Sequence, residues 1–259
     1  MVVGAVLGVG GWLATRATAT AGAADPDFDA IVRAAADRYL LSSMTAWEFA
    51  RGKLRGDPVY RAAVCEGLLH DGRVLIDVGC GTGLMLALLD EAARATREGR
   101  WPAGRPVPPR FEQLIGIELR PRVAATARDI LDEAATIIAE DVRRAQLPPA
   151  SAVLVFDVLH MLPAADQDAV IARLAETLEP GGVLLLREAD AGGGWRFTFV
   201  RLGNTLKALV TLNWRQRFHF RTAEEWQRLL EAHDLNTRQQ AMGDGTPFAN
   251  VMLHASRPS

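Results

Sequence analysis

The sequence lacks both a cysteine framework and an excess of either charge. Its 259 residues include only two cysteines, Cys65 and Cys80, which form neither a metal-ligand spacing nor a disulfide pattern. The net charge of −2 gives no electrostatic case for binding nucleic acid, a function that usually shows as a strong basic excess. We therefore expect neither a metal centre nor a nucleic-acid partner.

The chain also lacks a long apolar run. Residues 1–14 are apolar, but a membrane-spanning helix needs about 20 such residues. No basic residues precede this run, as they would in a signal peptide. Three interpretations stay open: a disordered extension, a weak membrane contact or a signal-like leader. We favour the first, with residues 1–25 as a disordered or weakly structured apolar extension, and we expect no membrane contact.

What the sequence does contain is typical of a globular domain. Hydrophobic residues make up 49% of the chain and charged residues 23%. From Val74 onward, aliphatic strands alternate with amphipathic helices, which predicts a mostly parallel sheet with helices on both faces. Residues 26–259 are expected to form one domain. The predicted strands are 73–78, 113–118, 136–139, 152–157, 183–188, 236–241 and 249–255, and the predicted helices are 83–95, 121–134, 164–178 and 222–233.

A helical segment precedes the first strand, and two insertions interrupt the alternation. Residues 27–70 are predicted to form an N-terminal helical cap, in which Asp57 and Pro58 start a helix. Residues 96–112 are rich in proline and arginine, and form either a solvated loop or a basic docking surface for an acidic partner such as an acyl carrier protein. Residues 191–220 contain a glycine hinge and many aromatic side chains, which predicts a lid over a substrate site.

The stretch from Val74 to Gly83 carries the most specific signal. An apolar run ends at Asp77, glycines then alternate up to Gly83, and an aliphatic helix follows. A buried strand that stops at a glycine-rich turn and opens a helix is typical of a nucleotide-type site. The third glycine comes one residue too early for the dinucleotide fingerprint G-x-G-x-x-G. No lysine follows Gly83, so the Walker phosphate loop does not match either.

The pattern D-x-G-x-G-x-G at residues 77–83 resembles motif I of the class I S-adenosylmethionine-dependent methyltransferases. Further stretches resemble later motifs of that family in the same order, so that the likeness covers residues 70–190. The resemblance implies an α/β, Rossmann-like fold with a seven-stranded, mostly parallel sheet. It also implies S-adenosylmethionine as the cofactor and methyl transfer as the activity. The later stretches are 114–118, 138–142, 153–162 and 178–186.

The same resemblance implies which residues bind the cofactor. The glycine loop and the following helix would face the methionine portion, with Cys80 as a small filler of the loop. Glu118 would accept both ribose hydroxyls. Asp141, or else Glu140, would accept from the adenine amine, while Asp157 would either line the methionine portion or cap a helix. The expected set is Asp77, Gly79, Cys80, Gly81, Gly83, Glu118, Leu119, Asp141, Val142 and Asp157.

Fewer residues indicate how an acceptor would be held. His160 follows the fourth strand by three residues, and its imidazole can take a proton from a hydroxyl or can simply pack against the cofactor. His219 is a second candidate for the base. Glu188, at the end of the fifth strand, could be a base or an acceptor-orienting group. The expected acceptor-binding set is Glu188, Trp195, Phe199 and Trp214.

Two acceptor classes lack their motifs in this chain. Residues 157–160 do not match the [N/D/S]-P-P-[F/Y] motif of methyltransferases acting on DNA amino groups or glutamine amides, and residues 188–190 lack the Asp-Asn pair of the metal-assisted catechol class. The aromatic lid favours a small apolar or aromatic acceptor. Residues 47–58 also resemble methyltransferases found with bacterial aryl-polyene pigment genes, which implies an aryl-polyene or polyketide hydroxyl, carried in that case on an acyl carrier protein.

Several alternatives stay open at this point. The basic residues of 51–55 could hold an anionic group or form an exposed turn. The chain could bind cofactor without catalysis and act as a partner protein, or be a nicotinamide dinucleotide oxidoreductase, although the glycine spacing counts against the latter. Because S-adenosylmethionine is made in the cytoplasm, we expect the protein to be cytoplasmic.

Overall fold

The computed structural model describes residues 26–194, 218–242 and 249–259. Three short 3-10 helices occupy 38–41, 132–134 and 159–161. The α-helices and strands follow in the order α1 (Pro26–Asp37), α2 (Met44–Gly56), α3 (Pro58–Cys65), β1 (Gly72–Val78), α4 (Leu84–Arg97), β2 (Phe111–Ile117), α5 (Pro121–Leu131), β3 (Thr136–Ile138), β4 (Ala150–Phe156), α6 (Ala164–Thr177), β5 (Leu178–Ala189), α7 (Ala223–Glu231), β6 (Asn236–Ala241) and β7 (Asn250–Ser256).

The strands form one seven-stranded sheet in the order β3-β2-β1-β4-β5-β7-β6. The first five strands of the chain pair in parallel, while β7 pairs antiparallel with both β5 and β6. The predicted seven-stranded, mostly parallel sheet is therefore confirmed.

Both faces of the sheet are buried, which explains why its central strands are continuous aliphatic runs. Alternate residues of a strand point to opposite faces. Leu75 and Leu185 belong to a core that includes residues of α1 to α5, whereas Ile76 and Leu184 belong to a core with residues of α6 and α7. The N-terminal helices α1 to α3 thus help to cover one face of the sheet.

The order of the strands fixes where a ligand can bind. From β1 the chain moves outward to β2 and β3, then returns to place β4 on the other side of β1. Ligands of open α/β sheets bind at such a switch point, outside the carboxyl ends of the strands. The loops after β1 and β4 meet at this point, and they carry the glycine motif and His160.

The predicted elements differ from the structure mainly at their ends. The helix predicted over 121–134 ends at Leu131, because Asp132 adopts a positive φ of 47° and only a 3-10 turn follows. The strand predicted over 183–188 begins earlier, at Leu178, with a shift in its pairing to β4 between Ala150 and Ala152. Within the described ranges, no helix is long and apolar enough to cross a membrane.

Candidate active site

The glycine loop after β1 needs its glycines for two different reasons. Gly79, Gly81 and Gly83 all have positive φ, between 58° and 83°, which side chains disfavour. A Cβ at Gly79 would collide with Val158, and one at Gly83 would lie 2.5 Å from the Leu131 side chain. At Gly81 the same atom would meet no described residue within 4 Å. The loop is therefore packed from below at its ends and open in its middle.

Hydrogen bonds to β2 and to the N-terminal helical segment hold this loop in place. The amides of Gly79 and Cys80 donate to the Ile117 carbonyl at 2.8 and 3.1 Å. The Tyr39 hydroxyl, from the N-terminal helical segment, donates to the Thr82 carbonyl at 3.0 Å. These bonds hold the loop in one shape, which favours a preformed binding surface.

Cys80, which the sequence analysis interprets as a small filler of the loop, is buried. A Cβ at Gly116 of β2 would lie 2.7 Å from the Cys80 sulfur, so the loop and β2 approach each other closely here. Burial raises the pKa of the Cys80 thiol, and the carboxyls of Asp77 and Glu118 raise it further. The thiol is therefore protonated at neutral pH and is not a nucleophile.

Asp77 is the penultimate residue of β1 and a buried carboxyl, with only 4% of its surface exposed. Burial raises its pKa to about 8, and the nearby Glu118 carboxylate contributes to the rise. None of the ion pairs described includes Asp77. This group holds its proton in a neutral solution and would release it more easily if a cation came close.

Glu118 lies just beyond β2 and faces the glycine loop. Its Oε2 accepts from the Gly81 amide at 3.1 Å, while its Oε1 accepts from the Arg120 amide at 2.9 Å and the Arg120 Nε at 2.8 Å. Burial alone would raise the pKa of Glu118, but the hydrogen bonds from Arg120 and Gly81 outweigh it and lower the pKa. Glu118 is therefore an anion at the edge of the loop. Its neighbour Leu119 is exposed.

Asp141 follows β3 in a similar arrangement. Its Oδ1 accepts from the amide and Nε of Arg143, both at 3.0 Å, and its Oδ2 accepts from the Arg143 Nη2 at 2.5 Å. The hydrogen bond from Arg143 lowers the pKa of Asp141, against the smaller opposing effect of burial. Val142, predicted to contact the adenine ring, is buried beside it. Glu118 and Asp141 thus each bind an arginine two residues downstream.

Asp157 follows β4 and adopts a positive φ of 58°. Its carboxylate pairs with Arg187 of β5, and Arg187 also pairs with Asp57 of the helical cap at 2.6 Å. Lys53 forms a second ion pair with Asp57, also at 2.6 Å. Arg187 is 2% exposed, and its Nε has no hydrogen-bond partner among the described residues. This buried network joins the N-terminal helices to the carboxyl ends of β4 and β5.

His160 and Glu188 form a hydrogen-bonded pair. Glu188 follows Arg187 in β5, so the two side chains point to opposite faces of the sheet. The His160 Nδ1 lies 2.7 Å from the Glu188 Oε2, and the Glu188 Oε1 accepts from the amides of Val158 and Leu159 at 2.9 and 2.6 Å. Glu188 is 1% exposed. A carboxylate only accepts hydrogen bonds, so this contact suits the tautomer that carries its proton on Nδ1 and has Nε2 as the basic nitrogen.

Aromatic rings flank this histidine. The Phe220 ring stacks on the His160 ring with their centroids 5.2 Å apart and their planes at 7°, and the Phe218 ring lies at 5.9 Å. His219, between them, donates its amide to the His160 carbonyl at 2.8 Å. The structure therefore brings His160, Glu188 and His219 into one region. The predicted acceptor residues Trp195, Phe199 and Trp214 lie outside the described residues.

The basic segments noted in the sequence contact acidic or aromatic groups of the same chain. Lys53 pairs with Asp57, Arg55 pairs with Asp29 at 2.7 Å, and Arg51 lies over the Trp47 ring. In the loop 96–112, two arginines pair with carboxylates, Arg100 with Glu98 and Arg110 with Asp71. These pairs reduce the positive charge that each segment offers to an anion.

Several residues of the site have no signature in the sequence. Arg187 and Asp57 are 130 positions apart, so no local pattern predicts their contact. Arg120 and Arg143 could have been found, because each follows a predicted carboxylate at the same spacing. Within the described ranges, no group of three or more His, Cys, Asp or Glu residues could hold a metal ion.

Comparison with known proteins identifies the family. The family model described as a methyltransferase domain matches residues 46–240. The chain belongs to this family. The predicted class I fold and the predicted cofactor, S-adenosylmethionine, are thereby confirmed, and the nicotinamide dinucleotide alternative loses its support.

The relatives of this methyltransferase domain have diverse names. The chain is 35% identical to a carboxy-S-adenosyl-L-methionine synthase of Chromohalobacter salexigens over 48% of its length and 43% of the relative's. It is 31% identical to a trans-aconitate 2-methyltransferase of Azoarcus sp. over 46% of its length and 40% of the relative's. The chain thus spans less than half of either curated relative.

A solved structure supports the fold at greater coverage. Human N-acetylserotonin methyltransferase, determined in complex with SAM, superposes with a TM-score of 0.54 at 19% identity, covering 91% of this chain and 60% of that one. At this identity the likeness shows the fold alone.

Proposed function

We propose that this methyltransferase domain transfers a methyl group from S-adenosylmethionine to a hydroxyl of a small apolar or aromatic acceptor, with His160 as the general base. The hydrogen-bonded pair of His160 and Glu188, at the carboxyl edge of the sheet, is the observation that carries the proposal. When bound, S-adenosylmethionine supplies a methyl group on a positively charged sulfur.

The glycine loop and the carboxylates around it fit that cofactor. The open space above Gly81 leaves room for a ligand against the backbone, while the packed positions Gly79 and Gly83 hold the loop in place. Glu118, as an anion beside the loop, suits the two ribose hydroxyls. Asp141 and the Val142 amide suit the adenine edge, and the buried Asp77 suits the positive charges of the methionine portion.

His160 would activate the acceptor oxygen. The buried Glu188 carboxylate fixes the Nδ1 tautomer and orientation of the ring, and it would stabilise the imidazolium that forms as the hydroxyl proton moves to Nε2. The activated oxygen would then take the methyl group that the bound cofactor supplies, and the hydroxyl proton would stay on His160. The protein's remaining task is to align the groups and exclude water.

The surroundings of His160 support an aromatic or apolar acceptor. Phe218 and Phe220 lie against the imidazole, and flat apolar walls suit planar substrates. The narrower proposal of an aryl-polyene or polyketide hydroxyl rests on the resemblance at residues 47–58. Delivery on an acyl carrier protein through the loop 96–112 is a further proposal, and the internal ion pairs of that loop weaken it.

A second candidate is a non-catalytic protein that acts through its partners. One observation favours it. The two carboxylates proposed to bind the cofactor, Glu118 and Asp141, already form ion pairs with Arg120 and Arg143 of the same chain. A site with such internal bonds is complete without a ligand. Methyl transfer to any acceptor would exclude this candidate.

The first experiment is calorimetric titration with S-adenosylhomocysteine, followed by a screen of hydroxylated aromatic and polyene acids with methyl-labelled S-adenosylmethionine. His160→Ala and Glu188→Gln should slow transfer by about 10²-fold or more while leaving the affinity for S-adenosylhomocysteine unchanged. His70→Ala, at an exposed histidine outside the site, is the control. Full transfer by His160→Ala would reject His160 as the base.

A further inference from the structure

Gln167 is a fully buried polar side chain next to the proposed base. It lies in the first turn of α6 and has 0% exposure. Its Nε2 lies within hydrogen-bond distance of three backbone carbonyls, those of Leu159 at 3.0 Å, Leu162 at 3.1 Å and His219 at 2.7 Å, which share its two protons. The Leu159 and Leu162 carbonyls lie on either side of His160 in the chain. The His219 carbonyl belongs to the residue between Phe218 and Phe220, whose rings contact the His160 ring.

The other end of the amide is also engaged. The Gln167 Oε1 accepts from the Arg221 Nε at 2.7 Å, and the Arg221 Nη2 donates to Asp168 at 2.7 Å and to the Ala164 carbonyl at 3.1 Å. The Arg221 guanidinium also lies 5.2 Å from the centroid of the buried Trp226 ring. Both ends of the Gln167 amide are therefore engaged, and the group that binds its oxygen belongs to the segment just before α7.

These contacts connect two segments that are far apart in the chain. The turn at 159–161 follows β4, whereas residues 218–221 precede α7, more than 50 positions later. Besides Gln167, the described backbone bond between them runs from the His219 amide to the His160 carbonyl. A buried hydrogen-bond network whose members are all satisfied fixes one arrangement of its groups.

We infer that Gln167 is a positioning residue for methyl transfer: its amide holds the His160 turn against the segment 218–221, and so sets the direction of the imidazole and of the rings beside it. This inference rests on the proposed function, because it assigns Gln167 an effect through His160. None of the described side-chain hydrogen bonds of Gln167 reaches the glycine loop or Glu188.

The test removes the donor of this amide while keeping its shape. Gln167→Glu retains an acceptor for Arg221 but, when ionised, cannot donate to the three carbonyls. Gln167→Met replaces the whole amide by an apolar chain and guards against misfolding from a buried charge. Gln239→Glu, at an exposed glutamine of β6, is the matched control. Retained affinity for S-adenosylhomocysteine shows that each variant folds.

NMR of the histidine rings gives a readout that does not depend on turnover. His160→Ala identifies the His160 signals among those of the five histidines. In the wild type the Nδ1 proton, bonded to Glu188, should exchange slowly and give a resolved signal. In both Gln167 variants this signal should broaden or vanish, and transfer should fall by about 10²-fold, because small misplacements of a reacting group cost that much. The Gln239 control should match the wild type.

The two ways of failing are distinguishable. An unchanged signal of the His160 Nδ1 proton in both Gln167 variants, with the affinity for S-adenosylhomocysteine intact, would overturn the positioning role. Full transfer by His160→Ala would instead overturn the proposed function, and the ring signal would still decide whether Gln167 orients His160.

Discussion

The Arg120 guanidinium binds the carboxylate that we assign to the cofactor's ribose. Its Nε lies 2.8 Å from the Glu118 Oε1, and its Nη2 lies 3.3 Å from the Oε2, while the amides of Arg120 and Gly81 occupy the rest of the carboxylate. A carboxylate has about four acceptor positions, so all of them are taken. The ribose hydroxyls can therefore bind Glu118 only by displacing Arg120.

Removing the Arg120 side chain should tighten binding of S-adenosylhomocysteine. The side chain is 61% exposed, so its ion pair contributes at most about 1 kcal/mol, which corresponds to roughly a fivefold gain in affinity for Arg120→Ala. Glu118→Gln should weaken binding by about tenfold or more, since it removes charge-assisted acceptors. Calorimetry measures both changes.

Arg122→Ala controls for the loss of a positive charge, because Arg122 is exposed in the first turn of α5 and makes no described ion pair. If Arg120→Ala weakened binding as Glu118→Gln does, Arg120 would orient the carboxylate rather than compete for it.

Gly81 and Gly99 offer a matched pair for testing the open cradle. Their φ angles are 58° and 69°, and neither would bring a Cβ within 4 Å of a described residue. Alanine at either position should therefore cost a similar stability, about 1 kcal/mol, from the left-handed backbone alone. Only Gly81→Ala should also weaken the binding of S-adenosylhomocysteine, because its Cβ would enter the space assigned to the cofactor. Equal affinity in the two variants would place the cofactor elsewhere.

The sequence predicts the frame of this site better than its internal contacts. The strands can be recognised in the sequence because burial on both faces makes them aliphatic runs. The carboxylates can then be located, because Glu118 and Asp157 directly follow such runs and Asp141 comes three residues after one. The partners of these groups are harder to foresee. Gln167 contacts His219 and Arg187 contacts Asp57, in each case a residue far away in the chain, and only packing brings these residues together.

Asp77 should give the free protein an unusual dependence on pH. Folding raises its pKa from 3.8 to about 8, so the folded state binds this proton more tightly than the unfolded state. Its contribution to stability is therefore full below about pH 4 and is lost as the pH rises through 8. The titratable groups around it are Glu118, Cys80, Tyr39 and Tyr60.

Asp77→Asn should remove this dependence, because the amide stays neutral. Urea unfolding at a series of pH values should show the variant gaining stability relative to the wild type between weakly acidic and weakly alkaline pH. Calorimetry of S-adenosylmethionine in buffers of different ionisation heats should also detect proton release on binding by the wild type and not by the variant. A constant difference in stability across that range would show that Asp77 is ionised throughout.

The contact between Asp57 and Arg187 should be the most costly ion pair to break. Both groups are buried, and Asp57→Asn keeps the hydrogen bond that caps α3 at Val59 while removing the charge. Losing one partner of a buried pair leaves the other charge uncompensated, which costs about 3–5 kcal/mol. The pair between Asp71 and Arg110 has the same 2.6 Å separation but is more than half exposed, so Asp71→Asn should cost under about 1 kcal/mol. Denaturant unfolding compares the two directly. Similar costs would mean that Asp157 suffices to compensate the Arg187 charge, and that Asp57 acts mainly through its cap on α3.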